Sequence, residues 1–352
     1  MLLEGIFPAV TTPFYPDGRL FSRKLEHNIE RYSRTAVAGL VLLGSTGEAV
    51  MLNDEESREV LRVARESTAA EKVLLAGVAR ESLIETLRLA DFAADQRYDA
   101  VLVRTPHFYG QQMGHGEMLT YYRALADRSP LPIVLYSIPK FTHYDLPVEV
   151  IAELAQHPNI IGLKDSSGSL ERIAEIMAAT QNAARREFSV TQTFAAITSR
   201  MMTRMVPSPE NFVSAETLGG KAGIAVGPPL TIVKTVRKKE VGFQVLCGSA
   251  HTLLDSLEAG VSGGVLALAA CAPQACQEIY TAWKDMDSKL ACEKQQRVIG
   301  ASTLVCGELG ISAIKYACDL NGYYGGRPRI PLLPLDRKRQ DEVTRVMADL
   351  KN

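Results

Sequence analysis

No stretch of this sequence stays apolar for the ~18 residues that a membrane-spanning helix needs. The longest candidate, around Gly263 to Ala272, suits a core strand. The start, Met1-Leu2-Leu3-Glu4-Gly5, does not place a basic segment ahead of an apolar one, so no secretion signal is read there. Charge of one sign is also lacking. The formal net charge is -1, which gives no electrostatic footprint for nucleic acid or an anionic membrane. Cysteine is sparse: all six (Cys247, Cys271, Cys276, Cys292, Cys306, Cys318) fall in the last third, and none forms a C-x-x-C pair. A zinc site would need tighter spacing and histidine partners, and the six histidines are scattered. The cysteines are therefore expected to be buried, reduced, small apolar side chains, and no metal is expected. A cytoplasmic location is therefore expected.

What is present is a rhythm. Short apolar runs (Gly5–Val10, Gly39–Leu43, Lys72–Gly77, Asp99–Arg104, Pro132–Tyr136, Ile160–Lys164, Phe243–Cys247 and Val261–Leu268) alternate with amphipathic stretches. Asp54-Glu55-Glu56 ahead of Leu61, Ala64 and Arg65 reads as a helix with an acidic first turn. Leu83, Leu87, Ala90 and Ala94 give another apolar face at helical spacing. A third helix follows Pro147, over Val150–Ala155. Runs that are apolar throughout suit strands buried on both faces. Eight of them interleaved with helices predict a parallel (β/α)₈ TIM barrel. An open doubly wound sheet is the competitor, but no run is followed by the G-x-G-x-x-G turn that would cradle a dinucleotide.

Two regions break the rhythm. Between Gln181 and Phe243 lie about sixty residues where such connections usually run 2–6. They are read as an insertion over 182–242, before strand seven. After the last strand the pattern is helical only, which places the barrel in 1–272 and a C-terminal helical extension in 273–352. A connection from a helix to the next strand lies at the N-terminal face of a barrel, so the insertion is expected to be remote from the chemistry. Its apolar residues (Phe194, Ile197, Met201, Met202, Met205, Ile232, Val233) suggest contact with a neighbouring subunit.

Barrel enzymes carry their catalytic groups at the C-terminal ends of the strands. Strand two leads into Gly44-Ser45-Thr46-Gly47-Glu48, strand five ends in Tyr136-Ser137-Ile138-Pro139, and strand six in Lys164-Asp165-Ser166-Ser167-Gly168. A lysine ending an apolar strand is largely desolvated, which favours the free amine that can attack a ketone. The ordinary alternative is a lysine whose stem packs on the barrel while its head reaches water. Lys234 and Lys315 also follow apolar stretches, but one leads a basic run in the insertion and the other sits in a helical pattern with Ile311 and Ile314. Tyr136 would neighbour Lys164 across adjacent strands, where a phenol can carry protons. Ser45 and Thr46, between glycines, form a turn whose N–H groups could converge on a carboxylate.

In these motifs the chain resembles the dihydrodipicolinate synthase/N-acetylneuraminate lyase family of pyruvate-dependent class I aldolases. The matching segments are Gly44 to Glu48, Tyr136 to Pro139, Ile161 to Gly168, Leu246-Cys247-Gly248-Ser249 and Gly263-Gly264-Val265. Within it, Leu131 to Ser137, His157 to Ile160, Phe243 to Leu246 and Gly322-Tyr323-Tyr324-Gly325-Gly326 are most similar to the 4-hydroxy-2-oxoglutarate aldolases. The resemblance implies that Lys164 is the Schiff-base lysine, Tyr136 the proton shuttle and Ser45 a relay. It also implies that Ser45, Thr46, Ser166, Gly248 and Ser249 bind substrate. The substrate is then pyruvate or a related 2-oxo acid, with no cofactor, in a homo-oligomer, a dimer or tetramer.

Two positions depart from the family. Phe108 stands where a second tyrosine is usual, and Phe141 where the synthases carry an arginine that grips the aldehyde's carboxylate. An apolar outer pocket is therefore expected, favouring cleavage of a 4-hydroxy-2-oxo acid over synthesis of dihydrodipicolinate. A non-catalytic 2-oxo acid binding or regulatory protein is the alternative of another class. A metal-dependent aldolase is disfavoured because no histidine cluster falls on strand ends.

Overall fold

The computed structural model describes residues 3–190 and 237–350. Six strands alternate with helices in the first part: β1 (Gly5–Pro8), β2 (Gly39–Leu42), β3 (Val73–Gly77), β4 (Ala100–Arg104), β5 (Ile133–Ser137) and β6 (Ile160–Asp165). A separate ribbon follows, β7 (Arg186–Val190) with β8 (Arg237–Val241), before β9 (Gln244–Cys247) and β10 (Gly263–Leu266) return to the main sheet. That sheet has eight parallel strands in the order β1-β10-β9-β6-β5-β4-β3-β2. Its ends meet through an Ala9–Val41 bridge and a bond from Val10 N to Val41 O of 3.0 Å. All eight apolar runs thus become barrel strands, and the fold is a (β/α)₈ TIM barrel.

Both faces of the sheet are apolar, which explains why the strands read as unbroken runs. Phe7, Val41, Leu75, Leu102, Val134, Leu246 and Val265 fill the interior. Ile6, Leu40, Leu74, Val101, Ile133, Leu163 and Val245 form the core beneath the helices. The period-two alternation of strand side chains sorts the two sets. Close strand contact is built in at Gly162, where a Cβ would stand 2.3 Å from Gln244 O on the next strand.

The helices obey their local signals. The helix Asp54–Ser67 begins with a capping box: Asn53 Oδ1 accepts from Glu56 N at 2.8 Å, and Asn53 N donates to Glu56 Oε2 at 3.1 Å. In the helix Leu83–Asp95, Leu87 and Ala90 are buried while Leu83 packs partly buried at its start. The helix after Pro147 spans Val148–Leu154, with Pro147 as its cap rather than inside its first turn.

From Pro273 onward every described element is helical, including Pro273–Lys284, Ser288–Ala301, Ile311–Leu320 and Arg337–Val346. The segment after the third of these runs back to the rim of the barrel. Asn28 holds it by donating to Tyr324 O at 2.8 Å. Arg329 then donates to Met51 O at 2.6 Å and pairs with Glu56, also at 2.6 Å.

The ribbon β7–β8 lies within the described part of the insertion and was not expected from its polar residues. Arg186 donates to His157 O at 2.8 Å and Lys239 pairs with Glu4, both near the N-terminal ends of barrel strands. The apolar residues that suggested a subunit contact (Phe194 to Val233) lie outside the described residues. The cysteines correct one expectation. All six are free thiols, but Cys292 is exposed and Cys306 half-buried, because each sits on the outer side of a C-terminal helical segment rather than in the core. Among the described residues no helix is long and apolar enough to cross a membrane.

Candidate active site

Strand register brings the site together. Tyr136 on β5 pairs with Lys164 on β6, which pairs in turn with Leu246 on β9. Partners in a parallel ladder point to the same side of the sheet, so the phenol and the amine share one tier at the C-terminal rim. Lys164 is 4% exposed, and its Nζ stands 4.1 Å from the centroid of the Tyr136 ring. Among the described residues no ion pair engages this ammonium group, so the aromatic face is its near neighbour. The Tyr136 hydroxyl lies 3.1 Å from Ser45 Oγ. Lysine, tyrosine and serine, separate in sequence, thus form one contiguous chain of groups.

Ser45 and Thr46 open a short 3₁₀ turn, Ser45–Gly47, in which Thr46 is buried. The first N–H groups of such a turn have no acceptor within it. The turn is fixed from behind. Thr12 Oγ1 donates to Gly47 O at 2.6 Å, and Glu48 adopts a left-handed conformation with φ of 54°. The Glu48 carboxylate is buried against Lys315, at 2.5 Å, and accepts from Arg329 N at 2.8 Å. Lys315 is fully buried and also donates to Thr12 O and Arg327 O, at 2.8 and 3.0 Å. Burial pushes its ammonium below the ordinary lysine value, with Glu48 pulling the other way. Lys315 is therefore committed to the scaffold, and the sequence reading did not foresee its tie to Glu48.

The turn after Lys164 is held by Asp165, which is buried and paired with Arg172 at 3.0 Å. Ser167 N donates to the other carboxylate oxygen at 3.0 Å. Ser166 N donates to Ser137 O at 2.9 Å, and Gly248 N to Asp165 O at 2.7 Å. A Cβ on Gly248 would fall 2.0 Å from Ser166 Oγ, so this position admits only glycine while Ser166 keeps its place. Ser249, half-buried, exchanges weak backbone bonds with Cys247 Sγ.

Beside this constellation opens a cavity of about 520 Å³, lined in part by Ser45, Tyr136, Ile138 and Phe141. Lys164 and Thr46 are not part of its lining. Phe108 is 74% exposed and does not line it either, while Phe141 does. The expectation of an apolar outer pocket needs correction, because Arg80, Glu81, Arg104 and His107 also line this cavity. Arg104 and His107 contact Glu81, at 2.9 and 2.7 Å. Glu81 is partly buried, which raises its pKa, but the N–H groups of Phe108 and His107 and the Arg104 guanidinium outweigh that and hold it below its usual value. Lys140, the other cation near Phe141, is occupied by Gly307 O at 2.5 Å. The sequence held the signal for Arg104: like Lys164, it ends an apolar barrel strand.

The model of the dihydrodipicolinate synthetase family matches residues 2–203 and 217–350. The chain belongs to this family. It is an enzyme, in a family whose members are lyases and synthases. It is 28% identical over 349 residues to a 4-hydroxy-tetrahydrodipicolinate synthase of Acidiphilium cryptum, covering 99% of each chain. It is 26% identical to the synthase of Methanothrix thermoacetophila, over 100% of this chain and 98% of the other. Among solved structures, the fold is shared with a prophage family member from E. coli K12 in complex with pyruvate. That pair gives a TM-score of 0.77 and 23% identity over 99% of both chains. A family protein from Coccidioides immitis superposes with a TM-score of 0.73 at 22% identity, over 98% of this chain and 95% of the other.

Proposed function

We propose that the chain is a class I aldolase that cleaves a 4-hydroxy-2-oxo acid to pyruvate and an aldehyde, with Lys164 as the Schiff-base residue. The observation that carries this reading is the Lys164–Tyr136–Ser45 chain: a desolvated lysine without an ion-pair partner, on a phenol that reaches a serine hydroxyl. The amine attacks the C2 carbonyl, and loss of water from the carbinolamine gives an imine. The C3–C4 bond then breaks with its electron pair entering the imine, leaving an enamine. The C4 hydroxyl proton passes to Tyr136, with Ser45 behind it, as the aldehyde departs. Protonation of C3 and hydrolysis release pyruvate and restore the amine. Ser45 and Thr46 receive the 2-oxo acid carboxylate, with Ser166, Gly248 and Ser249 beyond the imine. Phe141 itself supplies no charge for the carboxylate of aspartate semialdehyde, whereas Arg80 and Arg104 elsewhere in the cavity could hold a terminal carboxylate in either reaction. The protein is expected to work as a homo-oligomer in the cytoplasm.

A second reading, condensation of pyruvate with aspartate semialdehyde, is favoured by the names of the relatives and by the arginines in the cavity. Steady-state rates for both reactions on one preparation separate the two. Cleavage of 4-hydroxy-2-oxo acids is expected to be faster, and faster condensation would replace this reading with the synthase one.

A further inference from the structure

The cavity contains a cation whose position matches that of the site's own residues. Arg104 on β4 is the register partner of Tyr136, as Tyr136 is of Lys164. The three residues therefore occupy one tier on three adjacent strands, pointing into the barrel like Leu102 and Val134 below them. At about 4.8 Å per strand, the Cα atoms of Arg104 and Lys164 stand about 10 Å apart. That spacing is within the span of a short substrate held at Lys164.

The guanidinium group is only partly used. Its side chain is 17% exposed, and every recorded bond runs through Nη1, to Glu81 at 2.9 Å, Thr105 O at 3.1 Å and His107 Nδ1 at 2.8 Å. Among the described residues nothing engages Nε or Nη2. Arg80 adds a second cation to the lining, bonded to Ser57 Oγ at 2.9 Å and only 3.4 Å from Asp54, which is largely exposed. Glu48 faces the cavity too, but Lys315 matches it from behind. Glu81 thus answers Arg104 and Asp54 answers Arg80, so what the cavity offers an anion is unused guanidinium donors in partly desolvated surroundings.

We propose that Arg104 is the residue that determines specificity for the far end of the substrate, taking a terminal carboxylate on its Nε and Nη2 with Arg80 in support. Phe141 then packs beside that carboxylate and does not bind it. This assignment rests on the aldolase reading above, since it places the 2-oxo end at Lys164. A forked guanidinium suits a carboxylate with two parallel bonds, which a lone ammonium cannot reproduce.

The test compares two 4-hydroxy-2-oxo acids that differ only at the far end, one a dicarboxylate and one methyl-terminated. The wild-type protein should prefer the dicarboxylate. Arg104→Met should lower kcat/KM for the dicarboxylate about a hundredfold, mainly through KM, and leave the methyl-terminated acid within about threefold. If the methionine variant does not fold, Arg104→Lys carries the same comparison, with a loss of about tenfold confined to the dicarboxylate. An equal loss on both substrates, no loss on either, or a wild-type protein blind to the carboxylate would overturn the assignment. Borohydride trapping of pyruvate on the same preparations keeps the two readings apart. Trapping that is intact while the substrate ratio stays unchanged removes Arg104 alone. Absent trapping in the wild type removes the aldolase reading and this one with it.

Discussion

Replacing Lys164 with alanine should lower turnover by at least about four orders of magnitude, the scale on which loss of a covalent nucleophile acts. The side chain is 4% exposed and makes no ion pair or hydrogen bond among the described residues, so its removal costs packing and the contact with the Tyr136 ring but strands no charged partner. The variant should therefore keep its fold, and circular dichroism together with steady-state kinetics checks both halves of the expectation. Lys164→Arg is the sharper control. Arginine preserves the cation on the Tyr136 ring but stays protonated and forms no imine, so it should be as inactive as alanine. An active Lys164→Arg protein would mean that the amine contributes charge rather than a covalent bond.

The second large effect is on stability. Lys315 and Glu48 are both buried, and each is the other's charge partner. Lys315→Met leaves the Glu48 carboxylate in the core with no cation, a change expected to cost about 3–5 kcal/mol. Glu48→Gln should cost a similar amount by stranding the ammonium. The double variant should cost clearly less than both single effects added, because it removes the uncompensated charge. Urea unfolding of the four proteins measures this, and strict additivity would show that the pair is not coupled. Glu48 sits in the strained left-handed conformation that closes the Ser45–Gly47 turn. A loosened turn should therefore also weaken binding of the 2-oxo acid, even with Lys164 untouched.

Much of the scaffold was legible because a parallel barrel strand is buried on both faces and leaves an unbroken apolar run. The meeting of Lys164 with Tyr136 was legible for the same reason: both end consecutive strands, and parallel neighbours in register place strand ends together. The tie between Lys315 and Glu48 was not, because it joins residues 267 apart, and the helical pattern around Ile311 and Ile314 gave the lysine an ordinary explanation. Arg104 was missed differently. Its position obeys the rule that singled out Lys164, yet attention to the Phe141 substitution suggested an apolar outer pocket that Arg80 and Arg104 contradict. The need for glycine at Gly248 follows from its approach to Ser166, a contact between two loops that no local pattern carries. The antiparallel ribbon at the flanks of the insertion was hidden by its polarity, since Arg186-Glu187 and Lys238-Lys239-Glu240 lack a strand's apolar run.

The central claim is a covalent bond between pyruvate and Lys164. Incubating the protein with pyruvate, reducing with borohydride and mapping the peptides by mass spectrometry tests it directly. The expected result is a single reduced pyruvate adduct on the peptide carrying Ile161-Gly162-Leu163-Lys164, absent from Lys164→Ala. An adduct that persists in Lys164→Ala, on Lys315 or elsewhere, or no adduct at all in the wild-type protein, would contradict the account.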